Sequence, residues 1–500
     1  MDTHINSLSE IYSAIGEHDQ LITLLAALSL LIAFNFRKLR FPRLKITPIL
    51  IIIALALALR LSPLGTVPFS YDEIFSASMA GLPLDKLGEA VIADVHPPIY
   101  YLILSVASKT LGDTETVLRL PALALSLISV WLTYKLAWRL TKNKQVGLIA
   151  ALVIAVLPAH IRYSVEARGY MLLLVLVQSA LYANLTRRYI LFAAATMLLP
   201  LVHSLGYFYM AALVAGDVSK RLNPLPAFIP IPGAVWLPFM LYQSADVADG
   251  FWLEPLTPSG ILTPLATMTV GASNISALFI AVPGAFILTY LGINQARRII
   301  AKYEIITLLM VAFGVPGIAA LVSFAWKPIY LDRALMPAVM LFVPLWAAGI
   351  YRLQAARWIA IITLGVALAG YQTDAYALGR PDLEQWINSC RGDAIYTVST
   401  GTALIAKHYA GDRPVYVWDR ANDLGQTLPD NAKQLFGLVI TDGHSLPDSF
   451  CIPYQWDNPF TTTEQNILEI KDQLQQPHDV IVIGKAAYST LISYEVHNAN

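Results

Sequence analysis

Residues 69–101 read FSYDEIFSASMAGLPLDKLGEAVIADVHPPIYY, and we call this stretch the acidic loop. Six acidic or histidine side chains lie in it: Asp72, Glu73, Asp85, Glu89, Asp94 and His96. The segments on both sides are strongly apolar. Ionisable groups beside membrane hydrocarbon are costly, so a chain that retains them usually uses them for ion, proton or substrate chemistry. The loop therefore predicts a functional surface at the edge of a bilayer, and the remaining chain is expected to be its scaffold.

The composition is that of a polytopic membrane protein. Of the 500 residues, 56% are hydrophobic and 14% are charged, and the mean hydropathy is +0.57. These values override the expectation of several soluble domains that the length alone would give. The formal net charge is zero and no basic tract resembles a nucleic-acid surface, which argues against a nucleic-acid partner.

The N-terminal sequence predicts a retained membrane anchor. Residues 1–20 are polar and acidic, without the basic start and small-residue cleavage site of a signal peptide. The apolar segment 21–36 follows them, and a group of basic residues comes directly after it: Arg37, Lys38, Arg40, Arg43 and Lys45. Because basic residues stay on the cytoplasmic side, residues 1–20 are expected to form an external tail.

Hydropathy predicts a mainly α-helical bundle with about twelve membrane spans. Their expected positions are 21–36, 47–61, 120–140, 146–160, 170–185, 189–203, 206–217, 225–243, 274–292, 304–324, 334–351 and 357–371. In the second span, Arg60 is expected to snorkel to the outer surface. About eighteen basic residues then fall on cytoplasmic turns and roughly six on external ones, which places the acidic loop and both termini outside.

Residues 97–111 leave one topological alternative open. Roughly fifteen mostly apolar residues are enough either to cross the bilayer or to lie partly in it. The basic residues between 135 and 144 favour the second arrangement, since they are then cytoplasmic. We therefore expect residues 62–118 to form an external loop with juxtamembrane helices, including an amphipathic segment at 72–90.

After Tyr371 the composition becomes that of a soluble domain. Short apolar strands are predicted at 393–398, 414–418, 435–441 and 479–483, with helices at 402–410 and 463–475. Residues 372–500 are therefore expected to form a small external α/β domain. The only cysteines of the chain, Cys390 and Cys451, lie in it, and the sequence leaves open whether they form a disulfide or stay as buried thiols.

Asp72 and Glu73 are the first candidate catalytic residues. Adjacent carboxylates point in different directions, so one can serve the reaction while the other makes structural or metal contacts. A carboxylate at the membrane edge could take the proton of an acceptor hydroxyl as a general base. The alternative is an ordinary helix N-terminus, where such a pair caps the helix and interacts with its dipole.

Asp94 and His96 form the second candidate pair. They occupy alternate positions ahead of Pro97 and Pro98, so they could share a face and bind a divalent metal or a phosphate-linked metal. The alternative is a histidine that caps the following helix by a hydrogen bond. The residues alone leave both open.

The external turn RYSVEARGY, residues 162–170, supplies the first candidate phosphate ligand. Arg168 can present a bidentate fork to a phosphate, and Glu166 could orient that arginine or join a metal site. A self-contained ion pair at the membrane surface is the alternative. His203 and Tyr207, on the next external turn, are weaker candidates because they also fit ordinary hydrogen bonding at a helix end.

The sequence WKPIYLDRALMP, residues 326–337, adds a further outward-facing cation cluster. Its polar members are Lys327, Tyr330, Asp332 and Arg333. Carboxylates that activate a nucleophile, together with cations that stabilise a departing phosphate, are what group transfer with a phosphate leaving group requires. The combination on one face of the chain therefore predicts an enzyme better than it predicts a binding protein.

Three of these motifs resemble those of a known family. YDEIFSASMAG at 71–81, the segment from DVHPPIYY at 94 to AWRL at 140, and LPAHIRYSVEARGYMLLL at 157–174 are similar to GT-C glycosyltransferases of the dolichyl-phosphate-mannose protein mannosyltransferase and aminoarabinose transferase superfamily. The resemblance is closest over residues 71–203, and YLDRALMP at 330–337 supports it more loosely.

The resemblance implies a GT-C-like catalytic domain over residues 21–371. Such a domain would transfer a sugar from a polyprenyl-phosphate donor to a lipid, glycan or protein acceptor, with inversion at the anomeric carbon, on the periplasmic or extracellular side of a bacterial inner membrane. The anchor at 21–36 is unusual for the family, and the C-terminal domain has no match to the MIR-type repeats of eukaryotic protein mannosyltransferases. Both departures favour a bacterial type.

Carried onto this sequence, the resemblance also implies residue roles. Asp72 would be the leading catalytic base, with Glu73 beside it. Donor-phosphate or substrate binding would involve Asp94, His96, Glu166, Arg168, Tyr170, His203 and Arg333. A divalent metal ion held by Asp94, His96 and Glu166 is the one cofactor implied.

Two other functions fit a chain of this composition. A transporter or flippase would place charges and broken helices at mid-membrane and would show two similar halves, whereas the charges here are in one set of loops. A membrane-anchored binding protein would work through the outer domain and would not depend on Asp72.

Overall fold

A computed structural model of the protein describes residues 47–67, 69–218, 231–246, 255–270, 275–296, 302–353, 383–388, 393–397, 400–418, 439–441, 449–455, 478–485 and 491–498. The chain divides into two compact units. The first unit comprises Met1–Thr66, Arg119–Pro238 and Leu253–Gly379, and the second comprises Val67–Leu118, Phe239–Trp252 and Arg380–Asn500. The acidic loop therefore belongs to the same unit as the C-terminal residues.

The described helices are, in chain order, α1 Pro48–Thr66, α2 Tyr71–Gly81, α3 Leu84–Ala93, α4 Ile99–Leu111, α5 Glu115–Thr141, α6 Lys144–Val156, α7 Pro158–Ser164, α8 Tyr170–Thr186, α9 Tyr189–Leu198, α10 Gly206–Val218, α11 Ile231–Asp246, α12 Thr263–Val270, α13 Ile275–Ala296, α14 Lys302–Leu309, α15 Val315–Ala325, α16 Asp332–Met340, α17 Val343–Arg352, α18 Leu383–Asn388 and α19 Thr400–Tyr409. A π-helical turn, Met310–Gly314, joins α14 to α15. Short 3-10 turns lie at Leu199–Leu201 and Ser259–Leu262.

Among the described residues, three helical segments are long and apolar enough to cross a membrane: Pro48–Gly65, Glu115–Thr141 and Ile305–Ala325. Two bent pairs, α6 with α7 and α16 with α17, raise this to five if each pair is one span. The predicted spans at 21–36 and 357–371 lie outside the described residues, so the total of about twelve stays a prediction.

Helix α4 is short for a membrane span. Its 13 residues measure about 20 Å at 1.5 Å per residue, compared with roughly 30 Å of hydrocarbon. Gly112 ends it with φ at +102°, a backbone conformation that residues with a Cβ adopt rarely. This length is consistent with the predicted juxtamembrane helix at 97–111.

The predicted snorkelling of Arg60 is wrong. The helix that carries this residue runs on to Thr66, so Arg60 lies inside the apolar segment Pro48–Gly65 and not at its end. Its side chain is 0% exposed, and Nη1 donates to the carbonyl oxygens of Ala56 at 2.7 Å and Ala155 at 3.0 Å. Internal acceptors replace water around this guanidinium.

Helices α13 and α17 approach each other closely at glycines. A Cβ added at Gly292 would lie 2.1 Å from the carbonyl oxygen of Leu345, and one added at Gly349 would lie 2.6 Å from that of Leu288. Small residues at such crossings let two backbones approach, which is the usual basis of helix association in membranes. These glycines fix how α13 and α17 pack in the first unit.

In the second unit, the acidic loop forms α2 and α3. The chain breaks between them at Leu82 and Pro83, which have extended backbones and precede the first turn of α3. The expected amphipathic segment at 72–90 is therefore two helices.

On α11, Gln243 is buried, and its Nε2 donates to the carbonyl oxygens of Val91 at 3.0 Å and Ile92 at 3.2 Å near the end of α3.

Among the described C-terminal residues of the second unit, six strands form a mixed sheet. Its strands are β1 Ile395–Thr397, β2 Val415–Trp418, β3 Val439–Thr441, β4 Ser449–Gln455, β5 His478–Lys485 and β6 Leu491–Asn498, in the order β3-β2-β1-β4-β6-β5. Strands β1, β2, β3 and β4 pair in parallel, and β4, β6 and β5 pair antiparallel. Helix α19 precedes β2, as expected for a parallel α/β arrangement.

The four predicted strands overlap β1, β2, β3 and β5, and the helix predicted at 402–410 overlaps α19. The helix predicted at 463–475 lies outside the described residues. Strands β4 and β6 were not predicted. Strand β4 contains Pro453, which argues against a strand, whereas residues 492–497 of β6 alternate between apolar and polar and could have been recognised as a strand. Cys451 on β4 is disulfide-bonded, whereas the other cysteine, Cys390, lies outside the described residues.

Candidate functional site

The start of α2 presents the adjacent pair Asp72 and Glu73. Ser70 is the N-cap, with an extended backbone (φ −76°, ψ 164°), and Glu73 is the third residue of the helix. The Oε2 atom of Glu73 accepts hydrogen bonds from Ser70 N at 3.0 Å and from Ser70 Oγ at 3.1 Å. Glu73 is 0% exposed, so its carboxylate has the helix-capping role that was the alternative interpretation of the pair.

Asp72 precedes Glu73 by about 100° around the helix, so its side chain leaves α2 in a different direction. Asp72 is half-buried. Its backbone oxygen accepts a hydrogen bond at 2.9 Å from the hydroxyl of Ser76, one turn further along the helix and outside the cap. Because Glu73 caps the helix, Asp72 is the candidate base of the two adjacent carboxylates.

Asp94 and His96 meet at the turn between α3 and α4. The Oδ2 atom of Asp94 accepts from the phenol of Tyr101 at 2.7 Å, from His96 Nδ1 at 3.2 Å and from the backbone N–H of His96 at 3.2 Å. The Tyr101 ring also lies edge-on to His96 and to Phe75 of α2, with centroids 6.5 Å and 6.4 Å apart. The two predicted residues are thus together, and Tyr101 joins them.

The charge state of Asp94 follows from these bonds. Burial alone would raise its pKa, but the charge of His96, hydrogen bonds from His96 and Tyr101 and one from the backbone of Val95 outweigh burial and lower the pKa below its ordinary 3.8. Asp94 is therefore ionised at neutral pH and holds His96 in place. Sequence reasoning missed Tyr101, although an aromatic hydroxyl seven residues after an aspartate, across two prolines, is a signal that could be checked.

In the first unit, the turn after α7 carries Glu166 and Arg168, and both are buried, at 6% and 5% exposed. Oε1 of Glu166 pairs with Nε of Arg162 at 3.3 Å, and the Arg162 side chain is 51% exposed. The backbone N–H of Arg168 donates to the backbone oxygen of Glu166 at 2.7 Å, and this hydrogen bond tightens the turn. The ion pair expected here as an alternative is thus formed by Arg162 and Glu166.

Tyr170 is the centre of a ring cluster that gathers three predicted residues. Its ring centroid lies 5.5 Å from that of Tyr163, 6.1 Å from that of His203 and 5.7 Å from the guanidinium carbon of Arg333. His203 Nδ1 accepts from the backbone N–H of Leu205 at 3.0 Å, which fixes the ring. A cation over an aromatic face is attracted to the ring electrostatically, so Tyr170 helps to hold Arg333.

The other members of the 326–337 motif have different partners. Lys327 lies over the ring of Trp326 at 5.7 Å, and Asp332 Oδ2 accepts from Thr267 Oγ1 at 2.9 Å. The phenol of Tyr330 donates to the carbonyl oxygen of Ile261 at 2.7 Å. Of the two cations in this motif, Arg333 joins the Tyr170 cluster.

A cavity of about 240 Å³ in the first unit is lined almost entirely by apolar side chains from α12, α13, the π-helical turn, α15, α16 and α17. Its polar lining groups bond to the protein, since Trp346 Nε1 donates to Thr289 Oγ1 at 3.0 Å. Tyr330 and Leu335, which line the cavity, stand on either side of Arg333 in the chain. One short segment therefore provides part of the lining of an apolar cavity and also carries a cation.

The residues predicted to bind a metal already have partners within the protein. Oδ2 of Asp94 already accepts three hydrogen bonds, and Oε1 of Glu166 pairs with Arg162. Over the described part of the chain, no three His, Cys, Asp or Glu side chains gather into a group that could hold a metal ion.

Comparison with known proteins gives one sequence match and several structural ones. A profile of the dolichyl-phosphate-mannose-protein mannosyltransferase family matches residues 95–215, which include His96, Glu166, Arg168, Tyr170 and His203. Comparison with curated proteins gives no match.

Solved structures resemble the fold over most of the chain. The crystal structure of ArnT from Cupriavidus metallidurans bound to undecaprenyl phosphate has a TM-score of 0.55 at 14% identity, and covers 89% of this chain and 97% of that chain. The apo structure of the same protein gives 0.57 at 13% identity, with the same coverage. The archaeal oligosaccharyltransferase AglB from Archaeoglobus fulgidus, with an inhibitory peptide and a dolichol-phosphate, gives 0.43 at 12% identity over 68% of this chain and 57% of that chain.

The likeness to ArnT establishes the fold, and the profile match adds sequence similarity over two of the candidate motifs. Together they agree with the similarity to GT-C glycosyltransferases that the motifs predicted. The resemblance inferred from the sequence is therefore confirmed.

Proposed function

We propose that the protein is an inverting glycosyltransferase that moves a sugar from a polyprenyl-phosphate donor to an acceptor hydroxyl. The observation that carries this proposal lies in the first unit, where the segment around α16 provides both lining of the apolar cavity and Arg333 of the Tyr170 cluster. A polyprenyl phosphate has the matching two parts, a long apolar tail and an anionic head. The ArnT structure that shares the fold was solved with undecaprenyl phosphate bound.

In this proposal, Arg333 and Arg168 bind the donor phosphate. A guanidinium can donate two parallel hydrogen bonds to phosphate oxygens, and burial strengthens such bonds because water does not screen them. Arg168 is 5% exposed, and its backbone N–H donates to the carbonyl oxygen of Glu166 within the same turn. The ring of Tyr170 contacts the guanidinium of Arg333, and the ring of His203 packs against Tyr170.

Asp72 acts as the general base. It takes the proton of the acceptor hydroxyl while that oxygen forms a bond to the anomeric carbon, and the bond from this carbon to the phosphate oxygen breaks. The proton stays on the Asp72 carboxylate, and the polyprenyl phosphate leaves with the electron pair, its charge stabilised by the arginines. Attack opposite the departing phosphate inverts the configuration, so no covalent enzyme intermediate is needed.

Glu73, Asp94 and His96 support this step. Glu73 caps the helix that presents Asp72. Asp94 holds the ring of His96, and His96 acts at the donor phosphate.

We place the reaction on the external side of the membrane, periplasmic or extracellular in a bacterium, because the positive-inside bias puts the acidic loop there. The acceptor is a lipid, a glycan or a protein.

The test is an incubation of the purified protein with a panel of labelled undecaprenyl-phosphate sugars, followed by measurement of which label leaves the lipid. With the active donor, Asp72→Asn should lose at least about 100-fold in kcat, because general-base catalysis typically contributes 10²–10⁴-fold. Asp85→Asn is the matched control, since Asp85 is an exposed carboxylate of the same loop. Full turnover by Asp72→Asn would remove Asp72 from the mechanism.

The phosphate role is tested separately by binding of undecaprenyl phosphate. Arg168→Ala should weaken its affinity by roughly tenfold or more, since a hydrogen bond to a charged group contributes about 1.5–3 kcal/mol. Arg352→Ala, at an exposed arginine that ends α17, is the control and should bind normally.

Chelation by EDTA and re-addition of Mg²⁺ or Mn²⁺ in the transfer assay tests the predicted metal.

A further inference from the structure

A chain of polar side chains crosses the apolar interior of the first unit. Arg60 on α1 donates from Nη2 to Nδ1 of His160 on α7 at 2.7 Å, and Nε2 of His160 lies 3.1 Å from Oγ of Ser129 on α5. All three residues are 0% exposed. A buried arginine in a membrane helix is expensive, so its retention requires a function or a strict structural need.

The hydrogen-bond directions in this chain are fixed by the chemistry of arginine. A guanidinium has no acceptor, so Nδ1 of His160 must accept, and the imidazole proton is then on Nε2. That proton is donated to Ser129 Oγ. The three side chains thus link α1, α7 and α5 in one defined arrangement.

Arg60 also stabilises the break between α6 and α7. These helices form a bent pair with an angle of 62° at Leu157 and Pro158. Proline lacks an N–H and the bend ends the helical ladder, so the last carbonyls of α6 lose their usual donors. Nη1 of Arg60 donates to one of them, the oxygen of Ala155, at 3.0 Å. The guanidinium therefore holds both sides of the break.

The turn that follows α7 is the one that carries Arg168. Val165, 1% exposed, packs there against Leu64 of α1 and Leu123 of α5. Arg119, also 0% exposed, donates to the carbonyl oxygen of Leu64 at 3.3 Å. The helices that anchor α7 through His160 therefore also hold its C-terminal end.

We infer that Arg60 is a positioning residue for Arg168: by fixing the angle of α7 through Ala155 and His160, it places the guanidinium of Arg168 where it binds the donor phosphate. This inference rests on the proposed role of Arg168. It gives Arg60 no contact with substrate.

The test is a double-mutant cycle between Arg60 and Arg168, with the dissociation constant of undecaprenyl phosphate as readout. Arg60→Met should raise this constant by about tenfold, because misplacement of a binding group by 1 Å can cost up to 100-fold. In the Arg168→Ala background the same change should have less than about a threefold effect, since residues that act through one another are not additive. A merely structural role would weaken binding equally in both backgrounds, and that result would overturn the inference.

Two further variants keep the inference testable if Arg60→Met does not fold. Ser129→Ala removes the far end of the chain, and it should weaken binding by a smaller factor that also disappears in the Arg168→Ala background. Ser126→Ala is the control: Ser126 is on the same helix and equally buried, and its Oγ donates only within α5, to Leu123 at 2.7 Å. Equal binding by Ser129→Ala and Ser126→Ala would count against the inference.

The outcomes separate the inference from the proposed function. If Arg168→Ala binds undecaprenyl phosphate as well as the wild type, the phosphate role of Arg168 is wrong. If Arg168→Ala binds poorly and Arg60→Met is additive with it, only the positioning role of Arg60 is wrong.

Discussion

Glu73 allows a sharp distinction between a catalytic carboxylate and a helix cap. Its Oε2 accepts from both Ser70 N and Ser70 Oγ, and glutamine can accept the same two bonds at the third position of a capping box. Glu73→Gln should therefore keep the start of α2 intact, whereas Glu73→Ala removes the acceptor. If Glu73 acts only as a cap, glutamine should also keep glycosyl transfer within about threefold of the wild type, which is about 0.6 kcal/mol in the barrier.

The expected loss in Glu73→Ala follows from the contacts. A lost N-terminal cap typically costs about 0.5–2 kcal/mol, and leaving the two Ser70 donors without this buried acceptor adds to it. We take about 2 kcal/mol for opening of the first turn of α2, where Glu73 N and Ile74 N both donate to Ser70 O at 3.0 Å. This corresponds to roughly 30-fold faster amide exchange in that turn, because each 1.36 kcal/mol is a factor of ten.

The assay is hydrogen exchange over α2 in detergent-solubilised protein, together with the transfer assay on the same samples. Alanine should speed exchange and reduce transfer, since the turn that opens also carries Asp72. Glutamine should change neither strongly. If Glu73→Gln exchanges like the wild type but loses transfer as completely as Asp72→Asn, Glu73 is catalytic and the cap interpretation is refuted.

Three further predictions concern the second unit and the helix packing of the first. Tyr101→Phe should destabilise the protein by about 2 kcal/mol at pH 7 through loss of a bond to ionised Asp94, and since the pKa of Asp94 is lowered, the difference in melting from the wild type should shrink below about pH 4. Burial lowers the pKa of His408, so stability from its neutral form is present above pH 6.5 and is lost as the pH falls toward that lowered pKa; the wild type should therefore melt progressively earlier over that range, and His408→Gln should show a flatter profile. Gly292→Ala should lower the melting temperature because its Cβ meets a backbone oxygen at 2.1 Å, whereas Gly284→Ala, on the same helix with nothing within 4 Å, should not.

Local sequence patterns predicted much of what the structure shows. The sequence marked Asp94 and His96 as one pair, and it marked Tyr170, His203 and Arg333 in three separate motifs. The structure places the pair in contact and brings the other three into one ring cluster. Short apolar runs gave β1, β2, β3 and β5, because a buried strand needs only a few consecutive apolar residues.

Features set by long-range contacts were not predictable in this way. Arg60 looked like a snorkelling residue because hydropathy alone places it at a span end, and nothing in the local sequence shows that Ala155 and His160 supply acceptors. Strand β4 contains Pro453, which argues against a strand until its partners are known. Tyr101 looked like one of many apolar positions of α4, and only the turn at Asp94 gives its hydroxyl a role.

The choice of Asp72 as base rests on how each carboxylate around the candidate site is held. Glu73 accepts two bonds at a helix start, and Asp94 accepts three and has a lowered pKa. Glu166 pairs with Arg162 at 3.3 Å. A general base works best when its pKa is near the working pH, and the hydrogen bonds that Asp94 accepts lower its pKa away from that value. Asp72 is half-buried and leaves α2 in a different direction from Glu73, which caps that helix, so Asp72 is the carboxylate that we propose as the base.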